Sequence, residues 1–284
     1  MLQEPAITRS EEYELDLVLQ VVRDMRGYDF GQYRRGTLHR QLRRLCVEHG
    51  TAHYTDLISK LIYDKSFFGE VLQLVLIGVT ELFRDPVAYQ RVQKALVPYL
   101  STYAYVNIWH IGCSTGEEVY SMAILLKEAQ LLQKTQLYAT DLNERALDIA
   151  RKGIYPMRQL AKFTHNYKTY GGQAFFSDYY HTSYDRFAIN QDLRTKAVFS
   201  RHNLTSDGVF AEVQVVCCRN VLIYFNLDLQ NRVLRLIYDS LDHRGYLWLG
   251  ERESLHLTEV DPLFELIDRR AGLYRKKLKH TVYA

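Results

Sequence analysis

Gly112-Cys113-Ser114-Thr115-Gly116-Glu117-Glu118 stands between an apolar run, Val106–Ile111, and a stretch of helical spacing (Val119, Met122, Ala123, Leu125, Leu126). A second short run, Gln136–Thr140, ends on Asp141, 25 residues after Gly116. Strand, glycine turn, helix, strand and acid in that order form the layout of a nucleotide-type site. The glycines allow a tight turn and close backbone approach to a ligand, and the acid can accept hydrogen bonds from both ribose hydroxyls. Gly112–Gly116 also matches the G-x-S-x-G elbow of serine hydrolases, with Ser114 as nucleophile. That elbow needs earlier strands to supply an oxyanion-hole loop, yet everything before Val106 reads as helical, and a triad has no use for Asp141. Asp141 could instead cap a helix over Asn143–Arg151. The ribose role is preferred, because strand end and glycine turn lie side by side in a doubly wound sheet.

Three further groups of residues carry chemistry. In Thr80-Glu81-Leu82-Phe83-Arg84-Asp85-Pro86, Arg84 suits bidentate pairing with a carboxylate, or equally a solvated linker. Cys218-Arg219-Asn220-Val221-Leu222-Ile223-Tyr224-Phe225 follows a continuous apolar strand, Val213–Cys218. Strand ends of that kind face the ligand crevice, so Asn220 and Tyr224 either contact a ligand and its reaction partner or serve turn and core. Arg34, Arg35, His39, Arg40, Arg43 and Arg44 have no acid among them, and on one helix Arg40, Arg43 and Arg44 share a face. The aromatics that single-strand binders use for stacking are missing there, which favours an acidic protein partner over nucleic acid.

The elements that position these residues divide the chain. To about residue 75 the spacing is helical: Leu15, Val18, Val21, Val22 and Met25 form one face ended by Gly27, and Thr37 is the expected N-cap of Leu38–His49. Tyr54–Tyr63 and Phe67–Ile77 continue in that style. From Val106 strands alternate with helices, the mark of a parallel sheet. Leu227–Leu241 reads as helix; Gly245–Leu249, Phe264–Asp268 and Gly272–Arg275 read as strands. Ile154–Asn203 is rich in Tyr, Phe and His with little helical period, and is too long for an ordinary loop. The expected organisation is a helical domain over 1–77 and an α/β domain over 78–284, with an inserted subdomain at about 155–200.

Composition sets outer limits. With 47% hydrophobic and 24% charged residues the 284-residue chain is ordinary globular material, and its net charge of +3 is too small to imply nucleic acid. Met1–Glu14 lacks the apolar core of a signal peptide, and no window approaches the roughly 20 apolar residues of a membrane span. Cys46, Cys113, Cys217 and Cys218 have neither metal nor disulfide-framework spacing, so no metal is expected and a cytoplasmic setting is.

Taken together, these motifs resemble the CheR-type chemotaxis receptor methyltransferases, which are S-adenosylmethionine-dependent protein-glutamate O-methyltransferases. The resemblance runs through Gly27-Tyr28-Asp29-Phe30 and the basic helix after it, Val79–Pro86, Gly112–Glu118, Ala139-Thr140-Asp141-Leu142, Ala150–Tyr155, His202-Asn203-Leu204 and Cys218–Phe225. It implies an all-α N-terminal domain followed by a Rossmann-like methyltransferase domain with a small inserted β-subdomain. It also implies that Thr80, Arg84 and Glu117 hold S-adenosyl-L-methionine and that Asp141 takes the ribose beside Gly112. Asn203, Leu204, Asn220 and Val221 would line the adenine and methionine ends. Tyr224, the one residue given a catalytic role, would lie near the transferred methyl, and S-adenosyl-L-homocysteine would be the product. The basic helix, through Arg40, Arg43 and Arg44, would face the acidic helical cytoplasmic region of a receptor or signalling protein, without nucleic acid and without membrane insertion.

The sequence departs from the family pattern at Gly78, where Asn often precedes the Thr, and at Gly250-Glu251-Arg252-Glu253-Ser254, where Gly-His-Ser-Glu-Ser is usual. A glutamate carboxylate, with its pKa near 4.3, is already a nucleophile at neutral pH, so methyl transfer to it needs no general base. The task is alignment, which supplies on the order of 7–11 kcal/mol. The absence of an obvious acid–base dyad agrees with this. The rival readings are a cofactor-binding regulatory module without turnover and, third, a serine hydrolase acting through Ser114.

Overall fold

The computed structural model describes residues 6–76, 78, 80–209 and 211–278. Its packing divides the chain into two units, Met1–Gly78 with Tyr224–Leu229, and Val79–Ile223 with Gln230–Ala284.

The first unit is helical. α1 (Arg9–Arg26) opens on a capping box in which Thr8 and Glu11 satisfy each other's backbone N–H, and it closes on Gly27. α2 (Arg35–His49) ends at Gly50. It begins three residues before the expected start at Leu38, because the Arg34 carbonyl accepts from the N–H of both Thr37 and Leu38, and so Thr37 lies inside the helix rather than capping it. A 3-10 turn at Tyr54–Leu57, α3 (Ile58–Tyr63) and α4 (Lys65–Val75), capped by Asp64, complete the bundle. Ile77, expected in this last helix, lies outside the described residues. Leu15, Val18, Val22, Leu42, Leu45, Leu57 and Leu61 fill the core; burying each fully is worth about 1.5–3 kcal/mol.

The second unit runs α5 (Pro86–Ser101), β1 (Val106–Ile111), α6 (Glu117–Glu128), β2 (Thr135–Asp141), α7 (Glu144–Lys152), β3 (Ile154–Pro156) and α8 (Leu160–Tyr170). It continues through β4 (Tyr180–Ser183), β5 (Arg186–Ile189), α9 (Gln191–Arg194), β6 (Ala197–Arg201) and β7 (Val213–Cys218). Then follow α10 (Leu227–Ser240), β8 (Leu241–Leu249), β9 (Phe264–Asp268) and β10 (Leu273–Lys276). Seven strands form one sheet in the order β6-β2-β1-β7-β8-β10-β9. The first five are parallel, and β10 is antiparallel to both its neighbours. β1 and β7 are near-continuous apolar runs because helices cover both faces of the sheet. The chain winds outward from β1 through β2 to β6, then returns to β7 on the other side of β1. The strand order therefore reverses between β1 and β7, the point at whose carboxyl strand ends doubly wound sheets form their ligand crevice.

Inserted before β6 is a second sheet, antiparallel, in the order β3-β5-β4. The stretch read as lacking helical period contains α8, whose buried face is Phe163, Tyr167 and Tyr170. Aromatic residues on that face blurred the period. Its last residues, Ala197–Arg201, are a strand of the large sheet. Glu128, at the end of α6, accepts hydrogen bonds from the Tyr167 hydroxyl, the Tyr179 hydroxyl (3.0 Å) and the Gln173 N–H (3.0 Å), which tie the insert to the main domain.

Candidate cofactor site

The glycine turn leaves β1 at the reversal point. Gly112 has φ +64°, and a Cβ there would come within 2.5 Å of Val221 Cγ2, so only glycine fits between the turn and the segment after β7. Gly116, at φ +92°, precedes α6 and faces Ala150 at similarly close range. The turn is closed by bonds from the Cys113 N–H to the Thr140 carbonyl (3.0 Å) and from the Gly116 N–H to the Cys113 carbonyl (2.9 Å).

Asp141 ends β2 beside this turn. Its two carboxylate oxygens accept from the backbone N–H of Ser114 and of Asn143, both at 2.8 Å. The helix-capping role belongs to Asn143, whose side chain accepts from the N–H of Arg145 and Ala146. Asp141 instead joins β2 to the glycine turn. Burial raises its pKa against the pull of the backbone donors. The Asp141 carbonyl also receives the His202 N–H at 3.2 Å, bringing in the loop after β6. Asn203 and Leu204 are half-buried in that loop, and the Asn203 side-chain oxygen is engaged locally by Thr205.

Glu117 opens α6 and is 2% exposed. The Thr115 hydroxyl donates to it at 2.6 Å, yet burial dominates and pushes its pKa up to about 7. On the same helix, Ser121 Oγ accepts from the Phe83 N–H at 2.7 Å, which holds the segment carrying Thr80 and Arg84 against α6. Phe83 and Asp85 both take positive φ, 51° and 57°, so this segment has a defined, tightly folded path.

Two buried charged groups missed at the sequence level fix the remaining loops. Arg219, directly after β7, pairs with Asp85 at 2.8 Å and Glu118 at 3.3 Å, donates to the Arg84 carbonyl, and lies 4.4 Å over the Trp248 ring. His110 Nδ1 meets the other Glu118 oxygen at 2.9 Å. Burial opposes charge on Glu118, but His110 and Arg219 outweigh it and hold its carboxyl below the usual range. His110, Glu118 and Cys217 bring donor atoms within 4.8 Å of one another. Glu118 answers the Arg219 cation, and burial pushes the Cys217 thiol far up. Glu253 is the second group. It follows β8 and accepts from the backbone N–H of Gly250, Asn220, Val221 and Ile223. An arginine ending an apolar strand was the available signal for the first, and the acid retained in Gly250-x-x-Glu253 for the second.

Of the expected residues, Thr80, Arg84, Gly112, Glu117, Asp141, Asn203, Leu204, Asn220 and Val221 thus sit on segments of the second unit that border the reversal point or are tied to α6. Tyr224 packs with the first unit, where its carbonyl accepts from the Arg34 N–H at 2.8 Å. Gly78 is exposed, as are Glu251 and Arg252, so the departures at 251 and 252 lie in a surface turn that leaves Glu253 in place. The basic stripe differs from expectation. α1 supplies acids to the basic run of α2: Arg43 forks onto Glu11 at 2.8 and 3.0 Å, and Arg35 pairs with Glu12 and Asp16. Arg43 is therefore an internal ion pair, while Arg40 and Arg44 are exposed, Arg44 beside Glu48. Ser114 Oγ is buried with no hydrogen-bond partner, so no base activates it and the hydrolase reading is set aside.

The sheet order, the glycine turn and the acid ending β2 define the Rossmann-like methyltransferase class. The description "CheR methyltransferase, SAM binding domain" matches residues 78–272, and "CheR methyltransferase, all-alpha domain" matches 13–76. The chain belongs to the CheR methyltransferase family and carries its S-adenosylmethionine-binding domain. It is 39% identical over 268 residues to Cher3 of Pseudomonas putida, named as a candidate methyltransferase, covering 94% of this chain and 98% of that one. It is 31% identical over 201 residues to chemotaxis protein methyltransferase 1 of Vibrio cholerae (68% and 70% covered). It is 27% identical over 237 residues to the chemotaxis protein methyltransferase of Listeria innocua (83% and 87% covered). No helix among the described residues is long and apolar enough to cross a membrane.

Proposed function

We propose that this chain transfers the methyl group of S-adenosyl-L-methionine to glutamate side-chain carboxylates in the acidic helical cytoplasmic region of a chemoreceptor or related signalling protein. The observation that carries the reading is the meeting of Gly112, Asp141 and Val221 at the reversal point of a family-matched cofactor domain. The residues fit the cofactor: a glycine turn at the end of β1, an acid at the neighbouring strand end, and a buried carboxyl at the start of α6. Asp141 would hold the ribose; Glu117 and Arg84 would hold the charged methionine end, helped by Thr80. Asn203, Leu204, Asn220 and Val221 would fix the adenine and methionine ends, and Tyr224 would lie near the transferred methyl. When bound, S-adenosylmethionine supplies an electrophilic methyl on a sulfonium. The chain's own residues align donor and acceptor and exclude water, and none needs to abstract a proton. Arg40 and Arg44 would meet the acidic substrate surface.

The test is transfer of labelled methyl from S-adenosylmethionine to receptor-containing membranes, followed by alkali. Volatile methanol released by base identifies carboxyl methyl esters. Base-stable label would refute the glutamate assignment, and cofactor binding without any transfer would leave only the regulatory module.

A further inference from the structure

Asn220 and Val221 are placed by a carboxylate rather than by their own side chains. Glu253 Oε2 accepts from the Asn220 N–H at 2.7 Å and the Gly250 N–H at 2.8 Å; Oε1 accepts from the Val221 N–H at 2.9 Å and the Ile223 N–H at 3.3 Å. Four donors on two oxygens use the full capacity of an ionised carboxylate. Within the segment they hold, Asn220 takes the left-handed φ of +62°, a conformation asparagine accepts more readily than most residues. The fit is tight: a Cβ on Gly250 would come within 2.7 Å of Glu253 Oε2 and 3.0 Å of the Asn220 nitrogen. Glu253 is also 8% exposed and has no cationic partner within 4 Å among the described residues, unlike Arg219 one residue before Asn220. A buried charge satisfied only by backbone N–H groups of a ligand-facing loop is expensive, and its effect is spent on the geometry of that loop.

We propose that Glu253 is a positioning residue for cofactor binding: it fixes the backbone of Asn220–Ile223 at the crevice, and through Val221 it sets the wall against which Gly112 turns. This rests on the reading that Asn220 and Val221 line the S-adenosylmethionine site. The nearby exposed pair Glu251 and Arg252 takes no part.

The deciding variants are Glu253→Gln and Glu253→Asp, with Glu251→Gln as the surface control. A glutamine turns an NH2 toward donors and leaves one oxygen to accept. Calorimetry with S-adenosylhomocysteine, at a temperature where the variant keeps the wild-type near-ultraviolet circular dichroism, separates the folded fraction (stoichiometry) from affinity (Kd). Glu253→Gln should raise Kd at least tenfold at unchanged stoichiometry, Glu253→Asp should recover part of that loss, and Glu251→Gln should match wild type. A folded Glu253→Gln protein with wild-type Kd and a lowered Tm alone would overturn the proposal and leave Glu253 a structural residue. Should Glu253→Gln not fold, Glu253→Asp carries the test: a folded Asp variant with wild-type Kd overturns the proposal equally. Wild-type protein that binds no S-adenosylhomocysteine would instead overturn the cofactor reading. Loss of binding in Asp141→Ala, with Glu253→Gln unaffected, would overturn only the role of Glu253.

Discussion

In the helical unit Arg44 meets Glu48 at 2.8 Å with 63% of its side chain exposed, and Arg43 meets Glu11 at the same distance at partial exposure. In the sheet unit Arg219 meets Asp85 at 2.8 Å with 2% exposed, and Glu117 and Glu253 are buried as well. The distances are alike and the consequences are not. An exposed pair is screened by water and salt and contributes about 0–1 kcal/mol. A buried charge that loses its partner costs about 3–5 kcal/mol. The first unit uses charge to decorate a surface whose stability comes from leucine packing. The second uses it to hold backbone segments in one geometry around a crevice.

Five variants, read against pH and salt, probe this contrast. Arg219→Ala leaves the largely buried Glu118 and the half-exposed Asp85 without their cation, so unfolding free energy should fall by about 3 kcal/mol; urea titration at low and at 1 M salt should show most of that loss at both. If Asp141 holds the ribose as proposed, Asp141→Ala removes up to two charge-assisted bonds, each about 1.5–3 kcal/mol, and S-adenosylhomocysteine affinity should drop about tenfold or far more in a folded protein. An unchanged Kd would break the link between the strand-end acid and the ligand.

Glu117 is expected to give a pH signature. Its pKa of about 7 in the folded chain lies above the usual 4.5, so the folded state binds a proton more readily than the unfolded one. Without ligand, its contribution to stability is complete below about pH 4.5 and is lost as pH rises through about 7. If Glu117 meets the cationic methionine end as proposed, binding favours its ionised form, so affinity should fall about fivefold on going from pH 7 to pH 6, with proton release on binding. Calorimetry in buffers of different ionisation enthalpy reads that release, and Glu117→Gln should abolish it.

Arg43→Ala should cost about 1 kcal/mol, and most of that difference should vanish in 1 M salt. Glu11, held down to about 2 by Arg43 and the Thr8 cap, should then titrate closer to the usual value, so the stability it lends above pH 4.5 would be lost at higher pH on acidification. Smallest in binding terms, Arg40→Glu with Arg44→Glu should raise the KM for protein substrate a few-fold at low salt while leaving S-adenosylmethionine affinity intact. A variant equal to wild type at low salt would make α2 a solvated face.

What could be read from sequence followed from local rules. The glycine turn, β1, β2 and β7 announce themselves because period, apolar run and glycine are features of neighbouring residues. The strand pairings that join Gly112 to Val221 and the Asp141 carbonyl to His202 connect residues some 60 to 110 positions apart, and only the motif resemblance hinted at them. The roles of Glu253, Arg219 and Glu11 were missed for one physical reason: a charged residue looks solvated until its distant partner is known, however suggestive its place in the sequence. Thr37 misled because a good capping residue does not start a helix when an earlier carbonyl already accepts the first bond. In α8, tyrosine serves both as buried and as polar residue, which flattens the contrast on which periodicity depends.

α6 carries Glu117 at its first position and Glu128 at its last. Eleven rises of about 1.5 Å make it a rigid spacer of about 16 Å, with the buried carboxyl of Glu117 at one end and the anchor of the inserted sheet at the other. Adding one residue in its middle would rotate one end relative to the other by about 100°. The helix is therefore a gauge: its length and phase set where the insert stands with respect to the crevice. Sequence change inside the insert leaves that setting in place as long as the count of residues in α6 is kept.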